Sequence, residues 1–167
     1  SDVCSSDLHE FWRKFRAAVK EVNPDALILA EHYGDPGPWL EGDQWDSVMN
    51  YDAFMEPLTW FLTGMEKHSD SFSGELLGNG ENFFNAMSYH MSRMQPSSIL
   101  TAMNELSNHD HSRFLTRTNG VVGRIGTVGA EAANRGVKVC VLREAVMVQM
   151  TWPGAPTVYY GDEAGVC

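Results

Sequence analysis

A chain of 167 residues with a net charge of −10 and a pI near 4.9 is long enough to bury one hydrophobic core. That acidity argues against a nucleic-acid partner, whose phosphates require a basic surface, and against an anionic membrane. No apolar run approaches the roughly 18 residues of a spanning helix, so no transmembrane segment is expected.

Residues 1–8 do not fit the rest of the chain and resemble translated sequencing-adapter sequence; they are read as a non-native artefact. Residues 9–22 carry Phe11, Trp12, Phe15, Ala18, Val19 and Val22 at helical spacing, and Asn23-Pro24-Asp25 ends the helix. Residues 26–30 form a continuous apolar run, as in a strand buried on both faces. Gly and Pro mark residues 34–42 as a loop, and residues 47–50 read as a short strand. Residues 51–65 read as a helix interrupted near Pro57, and 72–80 as a loop. Residues 81–94 read as a helix with Phe83, Phe84, Met87 and Met91 on one face, stopped by Gln95-Pro96. The apolar run 99–103 reads as the third strand. Residues 114–136 are Gly-rich and hold a short helix plus loop. A helix over 137–150 and a fourth strand over 157–160 complete the chain.

Helices alternating with strands give the α/β class and a parallel sheet. Four parallel strands with covering helices are half of an eight-stranded barrel, and a complete (β/α)8 barrel needs about 250 residues. The chain is therefore expected to be a fragment, with residues 9–167 a partial barrel domain. Cys4, Cys140 and Cys167 are odd in number, far apart and without metal-ligand spacing. Cys140 lies in an apolar helical run and is expected to be a buried free thiol. Such a thiol favours a reducing, cytoplasmic setting.

Two junctions concentrate chemistry. Ala26-Leu27-Ile28-Leu29-Ala30 runs into Glu31-His32-Tyr33-Gly34, and Ile99-Leu100-Thr101-Ala102-Met103 runs into a polar stretch ending Asn108-His109-Asp110-His111. Strands that deliver carboxylates at their C-terminal ends are how (β/α) barrels build active sites. Two such strands suggest one site with two carboxyl groups.

Ala30-Glu31-His32-Tyr33-Gly34 resembles the acid/base segment of α-amylase-type glycoside hydrolases, and Ser107-Asn108-His109-Asp110 resembles the segment carrying their His-Asp pair. Trp45-Asp46-Ser47-Val48-Met49-Asn50-Tyr51 is similar to the strand between them. Pro153-Gly154-Ala155-Pro156-Thr157-Val158-Tyr159-Tyr160-Gly161-Asp162-Glu163-Ala164-Gly165 is similar to the last barrel strand and its loop. Four blocks in the family's order make a specific signal, most similar in flavour to the neopullulanase, cyclomaltodextrinase and maltogenic amylase group. The resemblance implies the C-terminal half of the barrel and a retaining double displacement on α-1,4 glucans. Maltodextrins, cyclodextrins and pullulan are the implied substrates, with α-1,6 bonds a further target.

In that reading Glu31 is the catalytic acid/base, and desolvation by the apolar strand favours the protonated form it needs. Asp110 is the second catalytic-site carboxylate, binding sugar hydroxyls and favouring ring distortion. From position alone, Glu31 could be a solvated residue at a strand end, and Asp110 the N-cap of the following helix. His109, Arg113 and Tyr33 are the candidate substrate-binding residues, with Trp39 a further stacking candidate. No metal site is expected, because adjacent loop residues rarely converge on one ion. No cofactor is expected either. The resemblance allows a structural calcium and a homodimer in the whole protein, without a ligand loop encoded here. The family's nucleophile, an Asp in an Arg-x-Asp context, belongs upstream of residue 9; Asp2 and Asp7 lack that context. The expected partner is an α-glucan oligosaccharide or polysaccharide. The alternative is an amylase-like domain that has lost catalysis and serves binding or assembly. Relatives of that kind lose the Glu or the His-Asp pair, whereas this chain keeps both.

Overall fold

The computed structural model describes residues 9–167, so the artefact reading of residues 1–8 lies outside the described residues. The first helix, α1, spans His9–Val22. It stops at Asn23 because Pro24 disfavours helical geometry in the residue before it. Its Trp12 and Val19 pack on a core of Ile28, Leu40, Trp45, Val48, Ala53 and Met94. Arg16 and Lys20 reach from α1 to the Asp46 carboxylate, at 2.6 and 3.2 Å. The Ile28 backbone N–H donates to Asp46 Oδ2 at 2.9 Å. Asp46 thus clamps the helix to the entry of the sheet.

Four short strands make the sheet: β1 Leu29–Ala30, β2 Ser47–Val48, β3 Met103–Glu105 and β4 Ala155–Thr157. β1 pairs parallel with β2, and β3 parallel with β4. A parallel bridge from Met49 to Met103 joins the two pairs, and Asn50 N–H donates to Met103 O at 3.0 Å. The order is β1-β2-β3-β4, all running one way. Between β2 and β3 lie a π-turn at Tyr51–Met55 and helices α2 Glu56–Thr63, α3 Gly80–Met91 and α4 Pro96–Thr101. Between β3 and β4 lie α5 Phe114–Arg117, α6 Ile125–Val128, α7 Ala130–Asn134 and α8 Val139–Thr151. The second core gathers Phe54, Leu58, Phe83, Met87, Leu106, Phe114, Leu115, Leu142 and Ala145 from this layer. Four parallel strands with helices packed alongside are half of an eight-stranded (β/α) barrel.

Several expected boundaries shift. Residues 99–103 are not a strand: α4 runs through Thr101, and β3 begins at Met103. Pro96 at the first helical turn has φ preset for a helix and needs no N–H partner there. A short apolar run does not separate strand from buried helix. β4 precedes its expected position, and Pro156 lies inside it. Ala155 N–H donates to Ala102 O at 2.7 Å, so the N–H that Pro156 lacks would face away from β3, on an open edge. The segment between β1 and β2 holds only a 3-10 turn at Gly37–Trp39, not a covering helix. Residues 26–30 are not buried on both faces; Leu27 is 60% exposed. Cys140 is exposed, not buried, because the inner face of α8 is Leu142, Ala145 and Gln149, and Cys140 points off that stripe. Phe84 likewise turns outward from the Phe83–Met87 face.

A ladder of buried amides fastens the strands. Asn50 Nδ2 donates to Asn104 Oδ1 at 2.7 Å, and Asn104 Nδ2 donates to Pro153 O at 3.1 Å. Gln149 Nε2 donates to Asn104 O and Thr157 O at 2.9 and 2.8 Å. Gly154 passes directly over this ladder with φ +140°; a Cβ there would lie 2.7 Å from Asn104 Cγ. Only glycine fits that approach.

Candidate active site

Because the strands are parallel, the residues after their C-terminal ends share one end of the sheet. Glu31 follows β1 directly, and its loop is held by Gly34 N–H donating to Asp52 Oδ2 at 2.7 Å. Tyr51 follows β2 and opens the π-turn. After β3, Asn108 folds the chain back on itself. Its Oδ1 accepts the N–H groups of Asp110 and His111 at 3.0 and 3.1 Å, an Asx turn. That turn lifts His109 and Asp110 into the open, with side chains 74% and 48% exposed and 3.5 Å between Nε2 and Oδ2.

The helix-cap role considered for Asp110 falls to another residue. α5 begins at Phe114, and the Phe114 N–H donates to Ser107 Oγ at 2.9 Å. The carboxylate of Asp110 is left to face outward.

Tyr33 links the two junctions. The charges of Glu31 and Asp110 both act on its hydroxyl, which is raised above its usual pKa first by burial. Its ring stacks on Tyr51 with centroids 4.8 Å apart, and the Lys67 ammonium lies 4.7 Å from the ring centre. Glu31 is exposed in this chain, so the apolar surround expected for it is not what these residues provide. The desolvated acid is Glu105, on β3, only 2% exposed. Burial pushes its carboxyl up to about 7, with the Glu31 charge adding to the effect and the Asn108 hydrogen bond opposing it.

These groups form one relay, buried at Glu105, Asn108 and Tyr51 and open at Glu31. Asn108 Nδ2 donates to Glu105 Oε1 at 2.7 Å and to Tyr51 Oη at 3.0 Å, and Tyr51 Oη donates to Glu31 Oε1 at 3.0 Å. Sequence reasoning missed Glu105, Asn108 and Tyr51 as site residues. An apolar-run criterion ends the strand at Met103 and leaves Glu105 in a loop.

Other candidates sit elsewhere. Arg113 donates to Tyr160 O at 2.6 Å and pairs with Asp162 at 3.0 Å, and it lies over the rings of Tyr159 and Tyr160. It ties the β3 loop to the β4 loop. Trp39 stacks between Trp45 and His9 at 5.3 and 5.0 Å, so its faces are occupied. His32 packs among Trp39 and Trp45, away from the relay. The Asn108–His111 run does not converge on a point. His109 and Asp110 turn outward, while His111 is buried against Tyr51 and His68. Among the described residues, no three His, Cys, Asp or Glu side chains are grouped to hold an ion.

A family model described as alpha amylase, catalytic domain, matches residues 4–167. Neopullulanase 2 of Thermoactinomyces vulgaris is 37% identical over 166 residues, covering 99% of this chain and 23% of that protein. A cyclomaltodextrinase of Thermoanaerobacter pseudethanolicus is 33% identical over 165 residues, covering 99% of this chain and 24% of that protein. The chain thus spans about a quarter of the length of these relatives. Among solved structures, the cyclic α-maltosyl-(1→6)-maltose hydrolase of Arthrobacter globiformis superposes with a TM-score of 0.70 at 30% identity. It covers 99% of this chain and 31% of that one. The debranching enzyme of Nostoc punctiforme gives 0.72 at 28% identity, over 92% of this chain and 29% of that one. With a family match over nearly its whole length and parallel strands that set Glu31 and Asp110 at one end of the sheet, the chain belongs to the α-amylase catalytic-domain family.

Proposed function

We propose that this chain is the acid/base-bearing part of a retaining glycoside hydrolase for α-glucans. Glu31 donates the proton to the leaving oxygen, and Asp110 with His109 binds sugar hydroxyls beside the scissile bond. The observation that carries the reading is the placement of Glu31 and the His109–Asp110 pair after neighbouring parallel strands, with both carboxylates acting on Tyr33. Their exposure suits direct contact with a neutral polyhydroxyl ligand.

A retaining mechanism also needs an attacking carboxylate roughly 5–5.5 Å from the acid. In the full-length protein an upstream Asp supplies it and forms the glycosyl-enzyme intermediate. Glu31, having given up its proton, then takes one from the incoming water. The names of the relatives, neopullulanase and cyclomaltodextrinase among them, favour maltodextrins, cyclodextrins and pullulan as substrates.

The test is Glu31→Gln in the full-length protein, followed by reducing-sugar release from maltodextrin. The amide keeps the shape and cannot act as a proton donor of comparable strength, so kcat is expected to fall by about 10²–10⁴-fold. Unchanged activity would place the proton donor elsewhere.

A further inference from the structure

The hydrogen bonds around Tyr51 determine which way each proton points. Asn108 Oδ1 faces two backbone N–H groups, those of Asp110 and His111, and these can only donate. Its amide group must therefore turn its two hydrogens the other way, toward Glu105 Oε1 and Tyr51 Oη. Tyr51 Oη is then an acceptor from Asn108. Its single hydrogen goes to Glu31 Oε1 at 3.0 Å; Met49 Sδ at 3.5 Å is a weak acceptor, and the Tyr33 hydroxyl, also within hydrogen-bond reach, is a neutral one beside a carboxyl oxygen. The donors thus run from Asn108 through Tyr51 to Glu31.

We propose that Tyr51, held by Asn108 and Glu105, is a positioning residue that keeps Glu31 Oε1 as a permanent acceptor and so sets the catalytic proton on Oε2. The proposal rests on the reading of Glu31 as the acid/base. In glycosylation the bond from the anomeric carbon to the glycosidic oxygen breaks, and its electron pair stays on that oxygen, which takes the proton from Oε2. The upstream Asp carboxylate attacks the carbon. In deglycosylation, water attacks the same carbon, the carboxylate departs, and the water's proton returns to Oε2. One oxygen handles both transfers while the other stays bound to Tyr51.

The surroundings suit this role. The Tyr51 ring is wedged between Tyr33 and His111, at 4.8 and 5.2 Å, so its hydroxyl has little freedom. Burial and the bond to Glu31 hold that hydroxyl in its protonated, donating form. Glu105 is the buried anchor at the far end, facing Glu31 on the β1 side and His109 and Arg117 on the β3–α5 side. Lys67 and Asp110 reach the cluster through Tyr33.

The test uses the full-length protein and two α-maltosides, one with an alkyl leaving group that needs protonation and one with a nitrophenyl leaving group that does not. Tyr51→Phe removes the hydroxyl and keeps both ring contacts. The expected result is a loss in kcat of about ten- to a hundred-fold on the alkyl substrate, part of the whole contribution of acid catalysis. On the nitrophenyl substrate the loss is expected to be less than about threefold, with KM little changed on both. Asn108→Asp keeps the acceptor for the two backbone N–H groups but replaces the amide donor, so Tyr51 turns its proton to residue 108 and frees Glu31. The same leaving-group-dependent loss is expected, which keeps the idea testable if Tyr51→Phe folds poorly. Equal losses on both substrates in either folded variant, or no loss in either, would overturn the proposal while leaving Glu31 as the acid. Failure of the underlying reading looks different: Glu31→Gln would itself retain activity on the alkyl substrate.

Discussion

Glu105→Gln tests whether the carboxyl on β3 is the desolvated acid of this site. The side chain is 2% exposed, and its carboxyl rises from an ordinary 4.5 to about 7, chiefly through burial. Below pH 4.5 the group is neutral in both folded and unfolded chains and adds no pH dependence. Between 4.5 and about 7 the unfolded chain releases the proton while the folded one keeps it, so stability falls as pH rises. Above about 7 the loss is complete. At 1.36 kcal/mol for each tenfold change in proton affinity, the whole effect is about 3 kcal/mol. The amide of Gln keeps an acceptor for Asn108 and cannot ionise. Chemical denaturation of the barrel in the full-length protein, at pH 4, 6 and 8, measures the difference between the two proteins. Groups common to both, His111 among them, cancel. The expected result is a variant that gains about 3 kcal/mol relative to wild type from pH 4 to pH 8. A difference independent of pH would show that Glu105 is ionised in the fold, and the account of burial would be wrong.

Gly154→Ala is expected to destabilise the protein by about 1–3 kcal/mol, through a Cβ forced into Asn104 and through the positive φ, as read by denaturant midpoint. His111, buried with neither ring nitrogen hydrogen-bonded among the described residues and its pKa lowered to about 3 by burial, should make the fold acid-sensitive. Stability is full above the unfolded value near 6.5 and lost as pH falls toward about 3, so His111→Phe should flatten that slope in an acid-denaturation series.

The sequence carried the outline of the fold because a parallel sheet announces itself by apolar strands alternating with helices, and the junctions after residues 30 and 48 were placed to within a residue or two. It misplaced β3 for a physical reason. Pro96 stops a helix that comes before it and starts one that comes after it, and a reading of it as a stop alone hides the second role. Taking Gln95-Pro96-Ser97-Ser98 as a helix start moves the apolar run 99–102 into α4 and the strand onward to Met103.

That shift decides what is legible in the site. Glu31, His109 and Asp110 stand out because their polar character begins where an apolar run ends. Asn104 and Glu105 do not, because they lie within the strand, and an apolar-pattern criterion treats a polar strand residue as the end of the strand. The interior of a barrel near its active end obeys a different rule. Buried polar groups are tolerated there provided each has a partner. Asn104 meets Asn50 and Pro153, and Glu105 meets Asn108. Those partners are 54, 49 and 3 residues away in sequence, so no local pattern ties the first two together. The side chains that make contact with ligand can be read from where the strands end. The side chains that fix the direction of a proton can be read only from who donates to whom, and that accounting needs the folded chain.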